Sequence, residues 1–145
     1  MCHMVYVSTD SPDDLSARSS DLVRFEIPAA GRQSPCPRIL KHEHKWFVGS
    51  ISGCSCTFRH LIRESLTIGF GAPEAWFPEA PDAIEATKRL YAILKDMVQR
   101  GYQVELLDCW SGDENKEAST LDVSLSQVPA DRFRMFEGHL FTLTS

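Results

Sequence analysis

Apolar and polar residues alternate along several short stretches of the chain, a pattern that is typical of half-buried β-strands. In residues 21–27, for example, Val23, Phe25 and Ile27 lie on one face of an extended chain and polar side chains lie mainly on the other. The same reasoning predicts strands over residues 4–8, 21–27, 46–52, 66–70, 103–110, 121–128 and 139–144. Alternation, rather than continuous apolar runs, favours antiparallel pairing with one face of the sheet covered.

A helical period replaces this alternation between residues 81 and 100. Ile84, Tyr91 and Leu94 recur on one stripe, Pro81 suits a first helical position, and Gly101 suits the residue after the last turn. The fold class that we predict is α+β: a mostly antiparallel sheet of about five to seven strands, packed by one long helix over 81–100 and one or two short helices.

Residues 54–66 fit two interpretations. Phe58, Leu61 and Ile62 have helical spacing, which predicts a short helix over 57–66; the alternative is an extended strand over residues 54–59. A second short helix is predicted within residues 129–136, and residues 31–37 (GRQSPCP) are predicted to form a loop.

Composition narrows the class of protein. The 145 residues include 15 Lys and Arg against 20 Asp and Glu, a net charge of −5, which argues against a general nucleic-acid-binding protein. The length suits a single domain over 1–145, and no apolar run reaches the roughly 18 residues of a membrane helix. Five cysteines, an odd number, and the absence of a secretory signal predict a reduced, cytoplasmic protein.

Basic residues concentrate within this acidic chain. The stretch from Arg32 to Arg63 has six basic residues and one acidic residue, together with three histidines and three cysteines. This predicts a binding site around residues 38–63, in which Arg59 and Arg63 hold a small anionic ligand and Trp46 lines the pocket. The alternative is a basic face that is merely solvated.

The most specific local motif is Cys54-Ser55-Cys56. Closely spaced cysteines can place two sulfurs on one metal ion, and zinc is the predicted metal. The first candidates for the second pair of ligands are His42 and His44, which share one face of an extended chain. Further candidates are Cys2, His3, His60 and Cys109. A structural or interaction domain, in which the cysteines are simply packed in a strand, is the competing interpretation.

An enzyme is the remaining alternative. If residues 57–66 form a helix, Cys54 or Cys56 lies near its N-terminus and acts as a nucleophile, with His60 one turn away as the base. In that hypothesis Arg59 and Arg63 hold an anionic substrate, and Glu64 is the candidate group that orients His60.

Asp108 is predicted to share a strand face with apolar neighbours, and we interpret it as hydrogen-bonded rather than catalytic. Cys109, on the opposite face, is predicted to be a core residue. Among these hypotheses the sequence favours a binding protein over an enzyme, and it leaves the ligand and the oligomeric state open.

Overall fold

The computed structural model describes residues 2–28, 36–51 and 53–145. Their strands are β1 His3–Thr9, β2 Arg24–Glu26, β3 His44–Gly49, β4 His60–Leu61, β5 Val104–Trp110, β6 Ser119–Ser124, β7 Met135–Phe136 and β8 His139–Thr144. The helices are the long helix α1 Pro81–Gln99 and two 3₁₀ helices, Leu15–Arg18 and Arg63–Ile68. Arg32 and most of the predicted loop 31–37 lie outside the described residues, as does Ser52, the last residue of a predicted strand.

Six strands form one sheet in the order β2-β3-β1-β5-β8-β6, and β4 and β7 form a separate parallel pair. All neighbours in the large sheet are antiparallel except β6 and β8, which are parallel. The predicted α+β class with a mostly antiparallel sheet is therefore confirmed. Within the described part of the chain, none of the helices combines the length and the apolar composition needed to cross a membrane.

The sheet buries side chains on both faces because its central strands carry apolar residues at consecutive positions, which point to opposite faces, so the predicted sheet with one covered face is wrong. Val5 and Val7 of β1 belong to the larger core cluster, which also contains Leu90 and Leu94 of α1. Tyr6 and its neighbours on the opposite face form a smaller cluster: Met4, Tyr6, Leu40, Phe47, Leu107, Cys109 and Leu140. Strand β1 is thus buried along its whole length, and β5 is buried at every position before Trp110.

Helix α1 begins and ends close to where the sequence predicts. Pro81 occupies the first turn, and Gly101, with φ of 92°, follows the last turn. That φ lies in the left-handed region that glycine adopts without a steric penalty. The helix contributes to the core its buried residues Ala83, Ala86, Thr87, Leu90, Tyr91, Ile93, Leu94 and Met97.

The predicted helix over 57–66 is wrong, and so is the alternative strand over 54–59. The backbone N–H of Arg59 donates to Thr87 Oγ1 at 2.8 Å, and its carbonyl accepts from the Met135 N–H at 2.8 Å. These backbone groups are therefore satisfied by tertiary partners instead of by a helical ladder. Residues 60–61 pair with β7, and only then does the chain enter the second 3₁₀ helix.

Two further predicted elements differ from the structure. Residues 66–70 do not form a strand: the second 3₁₀ helix continues to Ile68 and Gly69 follows it with φ of 68°. Residues 129–134 form turns rather than a helix, in which the N–H groups of Arg132 and Phe133 both bond the Pro129 carbonyl. Strand β7 then takes up Met135 and Phe136 because these residues pair with β4.

Candidate functional site

Three cysteines meet at one end of the central strands. Cys2 immediately precedes β1, while Cys54 and Cys56 lie in the segment that follows β3. Their three sulfur atoms all lie within 4.8 Å of one another. Cys2 and Cys56 are exposed and Cys54 is half-buried, so the thiol cluster (Cys2, Cys54 and Cys56) opens to solvent.

A tight turn after β3 positions Cys54. The Ser50 N–H donates to the Cys54 carbonyl at 2.7 Å, and the Gly53 N–H donates to the Ser50 carbonyl at 2.8 Å. Gly53 has φ of 86°, a conformation that favours glycine. Gly49 is also required by close packing, because a Cβ there would lie 2.6 Å from the Gly53 carbonyl oxygen.

Ser55 fixes this segment against β1 and β3. Its buried hydroxyl accepts from the Val5 N–H at 2.9 Å and donates to the Val48 carbonyl at 2.5 Å. One side chain thus joins β1 to β3, and the residues on either side of it carry the sulfur atoms of Cys54 and Cys56. This link is what brings these two cysteines beside the residue that precedes β1.

The thiols also interact with one another. Burial is the largest cause that raises the pKa of Cys56 to about 12, and hydrogen bonds with Cys54 and Cys2 raise it further. The backbone N–H of His3 donates to the Cys56 sulfur and acts in the opposite direction. In the absence of a cation, the cluster therefore holds Cys56 as a neutral thiol at physiological pH.

A second polar cluster contacts the segment that carries Cys54 and Cys56. Both oxygens of Asp108 are used: Oδ1 bonds His3 Nδ1 at 3.2 Å, and Oδ2 bonds His60 Nδ1 at 2.7 Å. The rings of His3 and His60 stack with centroids 3.7 Å apart, and Trp110 covers the other face of His3 at 4.1 Å. His60 Nε2 bonds the carbonyl of Ser55 at 2.6 Å, so the cluster reaches the segment that carries the cysteines.

These contacts determine the protonation of His60. Since a carbonyl oxygen only accepts, Nε2 must carry a proton, and Nδ1 donates to the Asp108 carboxylate. Burial alone would lower the pKa of His60, but the charge and hydrogen bond of Asp108 outweigh it and raise that pKa. Burial would likewise raise the pKa of Asp108, and the two histidines instead lower it. The pair is therefore an imidazolium and a carboxylate, and neither nitrogen of His60 has a free lone pair to act as a base.

Arg59 lies in a third buried network. Its Nε and Nη2 atoms donate to the two oxygens of Glu79 at 2.9 and 2.8 Å, and Nη1 and Nη2 also donate to the carbonyls of Asp131 and Gly71. Arg134 Nη2 donates to the same carboxylate at 3.0 Å. The Arg59 guanidinium, predicted to hold an anion, is therefore fully engaged within the fold.

The other predicted site residues lie apart from the thiols. His44 pairs with Thr9, at the end of β1 opposite to His3, which is about 20 Å away along a seven-residue strand. His42 precedes it in the chain, so the structure does not bring either histidine to Cys54 and Cys56. Trp46 is buried in the core cluster that also contains residues of α1. Arg63 is the first residue of the second 3₁₀ helix, and Glu64, which follows it, is exposed.

From the sequence, Cys2 and His3 are predicted only as further candidate ligands, and Asp108 is predicted to be hydrogen-bonded rather than catalytic. The signal that would have found them is the pairing of β1 with β5, which places His3 opposite Trp110 and Val5 opposite Asp108. The residue that orients His60 is Asp108 and not Glu64.

Comparisons of the chain with protein-family models, with curated proteins and with solved structures give no match. The function is therefore inferred from the geometry of the thiol cluster and of its neighbours.

Proposed function

We propose that the protein binds a thiophilic metal ion, zinc in the first place, through Cys2, Cys54 and Cys56. The observation that carries this proposal is the convergence of three cysteine sulfurs within 4.8 Å of one another, from two distant parts of the chain. Cysteine sulfur is a preferred ligand of Zn²⁺ in proteins.

The spacing of the sulfurs is close to what zinc requires. With a Zn–S distance of about 2.3 Å, tetrahedral geometry sets neighbouring sulfurs about 3.8 Å apart. The cluster therefore needs to contract by no more than about 1 Å, a movement that side-chain rotation of the exposed Cys2 and Cys56 can supply. Three protein ligands leave a fourth position on the solvent side for water or for an incoming ligand.

Two features favour metal ligation over the alternative of a thiol-dependent enzyme. The raised pKa of Cys56 describes a protonated thiol, whereas a nucleophile needs a thiolate. His60 cannot activate Cys54 or Cys56 as a base while it donates from both nitrogens. A reduced, cytoplasmic setting belongs to the same proposal, because the ligands must remain thiols until the metal displaces their protons.

Zinc titration of the reduced, metal-free protein tests the proposal. We expect one zinc ion per chain in competition with a chromophoric chelator, and cobalt substitution should give the thiolate-to-metal charge-transfer absorption that marks sulfur ligands. Each of the variants Cys2→Ser, Cys54→Ser and Cys56→Ser should weaken zinc binding at least tenfold, because each removes one of three thiolate ligands.

Cys36→Ser is the matched control, since Cys36 is a half-buried cysteine outside the thiol cluster and should leave zinc binding unchanged. The proposal fails if the reduced protein binds no zinc, or if Cys36→Ser weakens binding as much as the cluster variants do. It also fails if mass spectrometry of freshly isolated protein shows a stable disulfide among these cysteines that resists reduction.

A further inference from the structure

A small cavity lies beyond the end of β5, on the face of the sheet away from α1. Its volume is about 70 Å³, and its apolar wall is formed by Ile39, Leu107 and Ala118. Polar residues of the segment 113–117 close the other side, and Glu137 and Gly138 complete the wall. The cavity therefore combines an apolar floor with an acidic rim.

Glu114 is the unusual member of this lining. It is only 2% exposed, and its Oε1 accepts the Gly112 N–H at 2.8 Å. Its Oε2 is buried and has no hydrogen-bond partner among the described residues. A buried carboxylate oxygen without a donor costs free energy, and a ligand group that donates to it from the cavity would recover that cost.

The other charged groups around the cavity do not fill this role. Lys116 pairs with Asp113 at 3.1 Å and its side chain is 74% exposed, so its ammonium faces solvent. Glu137 accepts from the Trp110 indole N–H and from the backbone N–H of Arg63. Within the described residues, neither Arg63 nor Lys116 donates a hydrogen bond to Glu114 Oε2, which has no partner there.

The carboxylates of the rim also do not form a metal site. No group of three metal-ligating side chains in the described residues includes Glu114. A metal ion would need several oxygens at once, whereas an ammonium group can be bound by a single carboxylate together with an apolar wall.

We propose that this cavity binds a primary ammonium group on a short apolar chain, with an ammonium N–H donating to Glu114 Oε2. The volume of about 70 Å³ exceeds the roughly 10–15 Å³ that a single water requires, so the cavity has room for the ammonium group and its first carbons. The chain of the ligand contacts Leu107 and Ile39, and Glu114 supplies the charge that selects a cation.

n-Propylammonium is the probe, and binding is followed by the shift of the Trp110 indole N–H resonance, because this residue lines the cavity. We expect saturable binding in the millimolar range for a ligand of four heavy atoms. 1-Propanol, which has the same shape and no charge, should bind at least tenfold more weakly. Glu114→Gln should weaken n-propylammonium binding at least tenfold.

Glu85→Gln is the control, because Glu85 is an exposed carboxylate on α1, outside the cavity, and its loss should leave the affinity unchanged. Equal losses in the two variants, or equal binding of propanol and n-propylammonium, would overturn the proposal. Ala118→Leu gives a second test, since it should block the cavity and abolish binding while Glu114 is retained. Binding that survives this variant also overturns the proposal, and circular dichroism establishes that each variant is folded.

Discussion

The network of Arg59, Arg134 and Glu79 carries a strong prediction about stability. The side chains of both arginines are 1% exposed and that of Glu79 is 7% exposed, so two guanidinium groups share one carboxylate inside the protein. Glu79 accepts from Arg59 through both oxygens and from Arg134 through Oε1. Glu79→Gln preserves the shape of this side chain and removes its charge.

The expected loss is large because the two guanidinium groups cannot deprotonate. Removing one partner from a buried ion pair typically costs about 3–5 kcal/mol, and here the amide must also point one N–H donor toward a guanidinium donor. We therefore expect Glu79→Gln to lower the free energy of unfolding by about 3–4 kcal/mol. With a urea m-value of about 1.5 kcal/mol/M, the midpoint of unfolding should fall by about 2–3 M.

Urea denaturation followed by circular dichroism measures this change. Glu85→Gln serves as control, because Glu85 makes only an exposed contact with Lys88 at 3.8 Å and its loss should cost less than about 0.5 kcal/mol. A loss below about 1 kcal/mol for Glu79→Gln would refute the reasoning. It would mean that the backbone carbonyls of Gly69, Gly71 and Asp131, which also accept from the two arginines, suffice to hold the buried charges.

Two further predictions concern the site. The pKa of His60 is raised above 6.5, so the ion pair of His60 with Asp108 stabilises the fold fully below that pH. This stabilisation is lost as the pH rises through the folded-state pKa of His60. The pKa of Asp108 is lowered below 3.8, so its contribution to the free energy of unfolding is present above that pH and is lost as the pH falls through the folded-state pKa. Urea denaturation at a series of pH values should therefore show the largest destabilisation by Asp108→Asn between about pH 4 and 6.5. Gly49→Ala should weaken zinc binding in the chelator competition assay, because the added Cβ would displace the Gly53 carbonyl and with it Cys54. Gly71→Ala is the control and should leave zinc binding unchanged, because the nearest atom to its added Cβ is a side-chain atom 3.4 Å away.

The parts of the fold that could be predicted from sequence are those in which local pattern and tertiary packing agree. Strand β8 and helix α1 follow from their periodicity because their apolar faces are the faces that the core covers. Residues 57–66 could not be predicted in this way, since their helical spacing competes with partners that are distant in sequence. Thr87 and Met135 take the backbone groups of Arg59, and burial of its guanidinium with Glu79 holds the segment in place.

The thiol cluster shows the same limit at the level of the site. Spacing along the chain reveals Cys54 and Cys56 as a pair, but it cannot reveal the third sulfur, because Cys2 is more than fifty residues away. The sulfur of Cys2 lies beside the other two because β1 pairs with β3 and because the hydroxyl of Ser55 bonds the backbone of both strands. The sequence pattern pointed instead to His42 and His44, which lie at the far end of the same strand pair. Strand direction, which no local spacing encodes, decides which of these side chains can reach a common metal ion.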